Sequence, residues 1–338
     1  MTQEASAILG IDVAKAKVDV VLKSHDGESY ETFPNDPSGF KKLSQWLKKR
    51  KVKTGKVGLE ATSIYHEALA LYLHERGWVV YVLNPSRLHA YAKSQLSRNK
   101  TDKGDAFLIA QFVATQELDV WTPPSPAWRE LQALVRHIQD LKDEKQVAQV
   151  RLQTARTALV QASLEKLIAF LEEQIDELVH QIKNHLDQHP DLKSQHDLLT
   201  SIPGIGDWSA AQILSELPTV EQFDNAKEVV AYAGLNPAHH QSGSSVKGYT
   251  AISKIGNARL RRALYMPALV GNRHNPILKS FYHHLLAQGK LKAVALTASM
   301  RKLLHLIFGI LKSQKPFDPH FLNQKALLLR RYLSITER

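Results

Sequence analysis

The sequence predicts an α/β layer at its N-terminal end, then a long helical segment, then a mostly α-helical C-terminal domain. Three observations carry this. Short apolar runs alternate with helical periodicity before residue 120; the span from Trp128 to His189 holds no Gly or Pro; glycine-punctuated helical stretches follow it. The expected division is an α/β domain at 1–125, a helical coiled-coil connector at 126–190 and a C-terminal domain at 191–325.

Ile8-Leu9-Gly10-Ile11-Asp12-Val13 reads as a buried strand interrupted by one carboxylate, and Lys17-Val18-Asp19-Val20-Val21-Leu22 as its hairpin partner. A turn at Pro34 to Gly39 leads into a short amphipathic helix, Phe40 to Leu47. Lys56-Val57-Gly58-Leu59-Glu60 is a second apolar run ending on an acid. A helix from about Tyr65 to Arg76 stops at Gly77, and Trp78 to Leu83 is a strand stopped by Asn84-Pro85. After a basic, polar stretch, Lys100-Thr101-Asp102-Lys103-Gly104-Asp105-Ala106 opens another helix. Asp102 and Asp105, three apart, share one of its faces.

Trp121-Thr122-Pro123-Pro124-Ser125-Pro126 is a linker. Beyond it, apolar residues recur at spacings of three and four, from Leu131 to Leu141 and from Leu164 to Ile182, with Lys145, Ala148 and Ala155 diluting the seam. A helical hairpin or a dimeric coiled coil fits that pattern, as does an ordinary bundle. Residues 198–217 read helix, glycine turn, helix, similar to a helix-hairpin-helix module. Gly204 and Gly206 would present backbone N–H groups to phosphate at a helix start; an ordinary αα-hairpin turn is the competing reading.

Gly234 to Ser245 has little propensity for a regular element, and a helix follows from Ala258 to Leu269. From Ser242 to Phe317 there are thirteen Lys or Arg, among them Lys247, Lys254, Arg259, Arg261 and Arg262, and no Asp or Glu. The whole chain carries a net charge of +11, so this segment alone exceeds it. One-signed charge over such a length points to phosphate contact. With no cysteine, disulfides, thiolate zinc sites and cysteine nucleophiles are excluded. The N-terminus carries no secretory pattern, and the run Leu303 to Leu311 is short and interrupted by His305, so a cytoplasmic protein without a membrane partner is expected.

Singly, each of Asp12, Glu60, Asp102 and Asp105 reads as a cap or a dipole partner. Together, two strand-end acids and a helical pair read as a cluster of hard oxygen ligands suited to Mg²⁺.

The motifs Gly10-Ile11-Asp12-Val13-Ala14-Lys15, Leu59-Glu60-Ala61-Thr62 and Asn99 to Ala106 resemble the N-terminal domain of IS110-group transposases, in the branch that includes IS1111-like elements. Ile202 to Gly206, Ala233 to Pro237, Ser242-Gly243 and Ser253 to Asn257 resemble the C-terminal transposase domain of the same family. The resemblance implies a RuvC-like, RNase H-type first domain whose Asp-Glu-Asp-Asp site falls on Asp12, Glu60, Asp102 and Asp105. It implies Mg²⁺, two ions with Mn²⁺ as a substitute, and a nucleophilic serine in the second domain, here Ser242. It further implies donor and target DNA and a structured bridge RNA as partners. The expected assembly is a dimer building a synaptic tetramer, in a bacterial cytoplasm and at the nucleoid when bound to DNA. A RuvC-like nuclease using water and a non-enzymatic nucleic-acid-binding protein are the alternatives. No base for Ser242 is evident; His239 and His240 are its neighbours in sequence, and Ser244 and Ser245 are the competing nucleophiles.

Overall fold

A computed structural model describes residues 7–61, 64–95, 101–217, 219–238, 241–242, 246–247 and 251–319. The chain forms two compact units, Met1–Pro123 and Pro124–Arg338.

The first unit is a five-stranded mixed sheet in the order β3-β2-β1-β4-β5 with helices on both faces. β1 (Ala7–Val13), β2 (Lys17–Ser24) and β3 (Gly27–Pro34) form an antiparallel meander. β4 (Gly55–Glu60) and β5 (Val79–Leu83) run parallel to β1. On one face Leu9, Ile11, Val20 and Leu59 pack with α1 (Pro37–Lys49) and α2 (Glu67–His74). On the other, Val21, Tyr81 and Leu83 pack with α3 (Pro85–Ser94) and α4 (Asp102–Thr115). Burial from both sides explains why β1 and β4 read as near-continuous apolar runs.

Two elements differ from the sequence reading. The expected hairpin is a meander, because β3 is an exposed edge strand whose residues Gly-Glu-Ser-Tyr-Glu-Thr show no apolar alternation. The polar stretch after Pro85 is helical as α3, started by Asn84, whose side chain accepts from the Ser86 N–H.

The second unit begins with α5 (Pro126–Thr154) and α6 (Ala158–Gln188). These form an antiparallel hairpin, since His185 Nε2 meets the Ala127 carbonyl at 2.8 Å while Lys145 reaches Glu172 at 3.4 Å. α7 (Pro190–Thr200), α8 (Asp207–Glu216), α9 (Ala226–Tyr232), α10 (Ala258–Ala263), α11 (Tyr265–His274), α12 (Pro276–Ala287) and α13 (Lys292–Ser313) follow. One core joins Leu131 and Ile138 of α5 with Ile182 of α6, Leu199, Ile213, Leu260 and Leu304. By length and composition α13 is apolar enough to cross a membrane, yet its Leu303, Leu304 and Ile307 are fully buried in this core. Between α9 and α10 lie two short antiparallel ladders. β6 (Pro237–Ala238) pairs β9 (Ala251–Ile252), and within that span β7 (Gln241–Ser242) pairs β8 (Val246–Lys247).

Candidate acid cluster and basic surface

Two glycines seat the helix that carries half of the acids. Gly10 of β1 pairs with Gly58 of β4 in parallel register, and each lies two residues before an acid, Asp12 or Glu60. Side chains alternate across a strand, so both acids share the glycines' face of the sheet. α4 lies on that face. A methyl group at Gly10 would collide with the Ala106 carbonyl and the Ala110 backbone, and one at Gly58 would press on Val113 and Ile109. Asp102, Ala106 and Ala110 recur at helical spacing, so the contact with Gly10 aims the Asp102 side of α4 at the sheet. Thr101 fixes where α4 begins, its hydroxyl accepting from the Gly104 N–H at 3.1 Å.

Asp12 thus lies on the face that α4 covers and feels the other three acids. Burial, followed by the charges of Asp105, Glu60, Asp102 and Asp19, raises the Asp12 carboxyl from 3.8 to about 6. A carboxyl whose ionisation is penalised by neighbouring carboxylates is the donor chemistry a hard divalent cation matches. Among the described residues, however, no three Asp, Glu or His donors stand close enough to hold an ion. The residues fit such an ion by kind, as hard oxygen donors.

The structure adds residues that sequence reasoning missed. Asp19 lies directly opposite Asp12 in register and is only 1% exposed. Its Oδ1 accepts from Tyr30 Oη at 2.6 Å and Thr32 Oγ1 at 2.8 Å, both on β3. Lys17 stands 3.0 Å from Asp19 Oδ2 and donates to Asp102 Oδ2 at 2.6 Å. Burial alone would raise the Asp19 carboxyl, but the bonds from Tyr30, Thr32 and Lys17 outweigh it and hold it below the ordinary value. Hydrogen bonds to Asp102 and Asp19 push the Lys17 ammonium upward. The available signal was an acid inside the apolar run of β2; without β3, nothing marked it as buried.

In the second unit, two sequence-distant motifs are stitched together beneath the short ladders. Ser253 donates from its N–H to the Asn236 carbonyl at 2.9 Å and from its hydroxyl to Asn236 Oδ1 at 2.7 Å. The Asn257 N–H reaches the Tyr232 carbonyl at 2.7 Å, while Asn257 Nδ2 reaches the buried Glu216 at 3.0 Å. Arg136 of α5 also grips Glu216, through Nε at 2.8 Å and Nη2 at 3.1 Å. Ser242 lies in β7, its backbone paired with Val246 in the inner ladder. His239, His240, Gly243, Ser244 and Ser245 lie outside the described residues.

The expected phosphate contacts fall into two groups. Lys254 and Arg259 are exposed, and Lys247 lies in β8. Arg261 and Arg262 are engaged within the unit. Arg261 Nη1 donates to the Ala233 carbonyl at 2.7 Å, and Arg262 makes a two-pronged bond to Asp143 of α5 at 2.7 and 3.0 Å. With Arg259, Arg136 and Glu216, the Arg262–Asp143 pair lines a cleft of about 230 Å³ between α5, α8 and α10. Gly206 is exposed and starts α8, whereas Gly204, at φ 107°, packs against Pro267 and Gly271 of α11. Asp207, in the first turn of α8, adds a negative charge where an anion would approach.

Residues 9–163 match the model of the IS110-type DEDD domain, described as a transposase, and residues 196–283 match the transposase model of the IS116/IS110/IS902 family. A pilin gene-inverting protein of Moraxella bovis is 34% identical over 313 residues, covering 92% of this chain and 97% of the relative. The 43.6 kDa protein of insertion element IS110 from Streptomyces coelicolor is 32% identical over 190 residues, 56% of this chain and 45% of the relative. The transposase of insertion sequence IS1328 from Yersinia enterocolitica is 26% identical over 233 residues, 60% and 66% of the respective lengths. Two matched domains in the same order, together with a 34% identical relative that the chain spans almost end to end, make this chain a member of the IS110 family of transposases.

Proposed function

We propose that the chain recombines DNA by cutting and rejoining strands through Ser242, at a divalent-metal site formed by Asp12, Glu60, Asp102 and Asp105. The observation that supports this reading is that Asp12, beside the seat of α4, feels the charges of Asp105, Glu60 and Asp102. The strand order β3-β2-β1-β4-β5, with acids ending two neighbouring parallel strands, supports an RNase H-like, RuvC-type assignment of the first unit.

A divalent ion such as Mg²⁺, when bound there, supplies positive charge that polarises the scissile phosphate. The remaining chemistry belongs to the chain. Ser242 Oγ bonds to phosphorus as the 3′ oxygen leaves with a proton, giving a 5′-phosphoserine link and a free 3′-OH. Attack by a 3′-OH on that link reverses the step on a new strand, so bond energy is conserved. The outcome depends on how two sites are arranged. Exchange within one molecule excises or inverts a segment, in keeping with the name of the Moraxella relative.

The exposed cations Lys254 and Arg259, and the run from Arg273 to Lys292, are the proposed contact surface for donor and target DNA and a structured bridge RNA. Gly206 at the start of α8 is the proposed backbone contact of a helix-hairpin-helix-like turn. Exposed Val147, Val150, Val160, Leu167 and Phe170 on α5 and α6 support a coiled-coil contact with a second copy, and a tetramer built from two such dimers.

The test is a cleavage reaction on end-bearing DNA with Mg²⁺ or Mn²⁺, followed by protein digestion and mass spectrometry. A phosphoadduct on Ser242, lost in Ser242→Ala, and cleavage lost with DNA binding kept in Asp12→Asn, are the expected results. An adduct on Ser244 or Ser245 would move the nucleophile. Cut DNA with no adduct would mean hydrolysis by water.

A further inference from the structure

The acid cluster already holds a cation of its own. Lys17 Nζ bridges Asp102 Oδ2 at 2.6 Å and Asp19 Oδ2 at 3.0 Å. Lys17, Asp19 and Val21 alternate along β2 on the face that α4 covers, since Val21 packs with Ala106 and Ala110. The two anchors differ in freedom. Asp19 is buried and keeps its bonds from Tyr30 and Thr32 whatever Lys17 does. The side chains of Lys17 and Asp102 are 46% and 57% exposed, so the ammonium can swing into water and the carboxylate can turn. As the side chains stand, no three donors among the described residues could hold an ion, and one of the four proposed ligands is bonded to Lys17.

The geometry points to Lys17 as the resident counter-cation of the cluster, a positioning residue that a divalent ion must displace from Asp102 in order to bind. This rests on the reading of Asp12, Glu60, Asp102 and Asp105 as metal ligands. The physical basis is competition for one carboxylate. An ammonium bonded to Asp102 neutralises charge that the ion would otherwise use, and restrains the oxygen that must turn toward Asp12. While the site is empty, the same ammonium offsets repulsion among the acids. A pre-bound cation thus lets the cluster fold without metal, at some loss of metal affinity.

The experiment measures Mn²⁺ binding to the full chain without DNA, by electron paramagnetic resonance of free Mn²⁺, for the wild type, Lys17→Met, Lys17→Arg and Asp12→Asn. Removing the competing bond in Lys17→Met should tighten Mn²⁺ binding roughly tenfold, in line with one charge-assisted hydrogen bond at a partly exposed site. Lys17→Arg, which keeps the cation, should bind within about twofold of the wild type, well short of that tenfold gain. Where the Met variant does not fold, Lys17→Gln removes the same charge and should tighten binding likewise. Unchanged or weaker binding in the neutral variants, or equal tightening in Lys17→Arg, overturns the exchange. Asp12→Asn separates the two readings. If it binds Mn²⁺ as well as the wild type, the ligand assignment fails and the exchange falls with it. If it loses binding while Lys17→Met leaves affinity unchanged, only the exchange falls.

Discussion

At the scale of single residues, the consequential feature is a carboxylate kept in poor company. Asp12 is half-buried, faces three acids of the cluster, and lies opposite a fourth carboxylate across the β1–β2 ladder. Its carboxyl is raised from 3.8 to about 6, so the folded state holds this proton more tightly than the unfolded chain does. The stability it contributes is complete below about 4 and is lost as pH rises through about 6. In EDTA at pH 7, Asp12→Asn should therefore be more stable than the wild type, by roughly 1–2 kcal/mol after allowance for solvent exposure. Thermal melts of both proteins should converge below pH 4, and a wild type that is the more stable at pH 7 would contradict the account. The four acids stood out in the sequence as candidates because each interrupts, ends or opens an apolar element. Asp19 and Lys17 did not, because nothing marked the acid inside the β2 run as buried until Tyr30 and Thr32 of β3 are known to stand beside it.

At the scale of elements, the sheet was legible where burial on both faces left apolar runs, and illegible at β3, whose outward face is polar. The helix-turn-helix order of α7 and α8 was legible from Gly204 and Gly206. The reason for Gly204 was not, since it depends on Gly271, far along the chain on α11. The seat of α4 yields the sharpest test. Gly10→Ala places a methyl group against the Ala106 carbonyl and Ala110 backbone, which cannot rotate aside as a side chain would. Overpacking of this kind costs about 1–3 kcal/mol, and here it also lifts the helix bearing Asp102 and Asp105 from the sheet bearing Asp12 and Glu60. Urea unfolding should show the loss of stability, and a cleavage assay on the still-folded protein should show a larger loss of rate. Full activity in a destabilised Gly10→Ala protein would mean that the seat does not set the acids' positions.

At the scale of the whole molecule, the excess of positive charge was plain from the sequence, but its internal use was not. Arg262 is held by Asp143, 119 residues away, and Arg261 by the Ala233 carbonyl, so two of the most suggestive cations also serve the fold. Lys279, Lys290 and Lys292 are exposed and give a cleaner test. Replacing all three by Ala should lower the slope of log affinity for duplex DNA against log salt by about 2–3, at roughly 0.9 for each phosphate that is no longer neutralised. Fluorescence anisotropy across a range of NaCl concentrations measures it, and an unchanged slope would put the DNA surface elsewhere. The glycine seat has one more consequence, for the gene rather than the fold. Every missense change at a single base of a glycine codon adds at least a Cβ, and at Gly10 even the smallest addition strikes backbone. Copies silenced by one such change would keep Asp12, Glu60, Asp102, Asp105 and Ser242, and an inspection limited to those five residues would count them as intact.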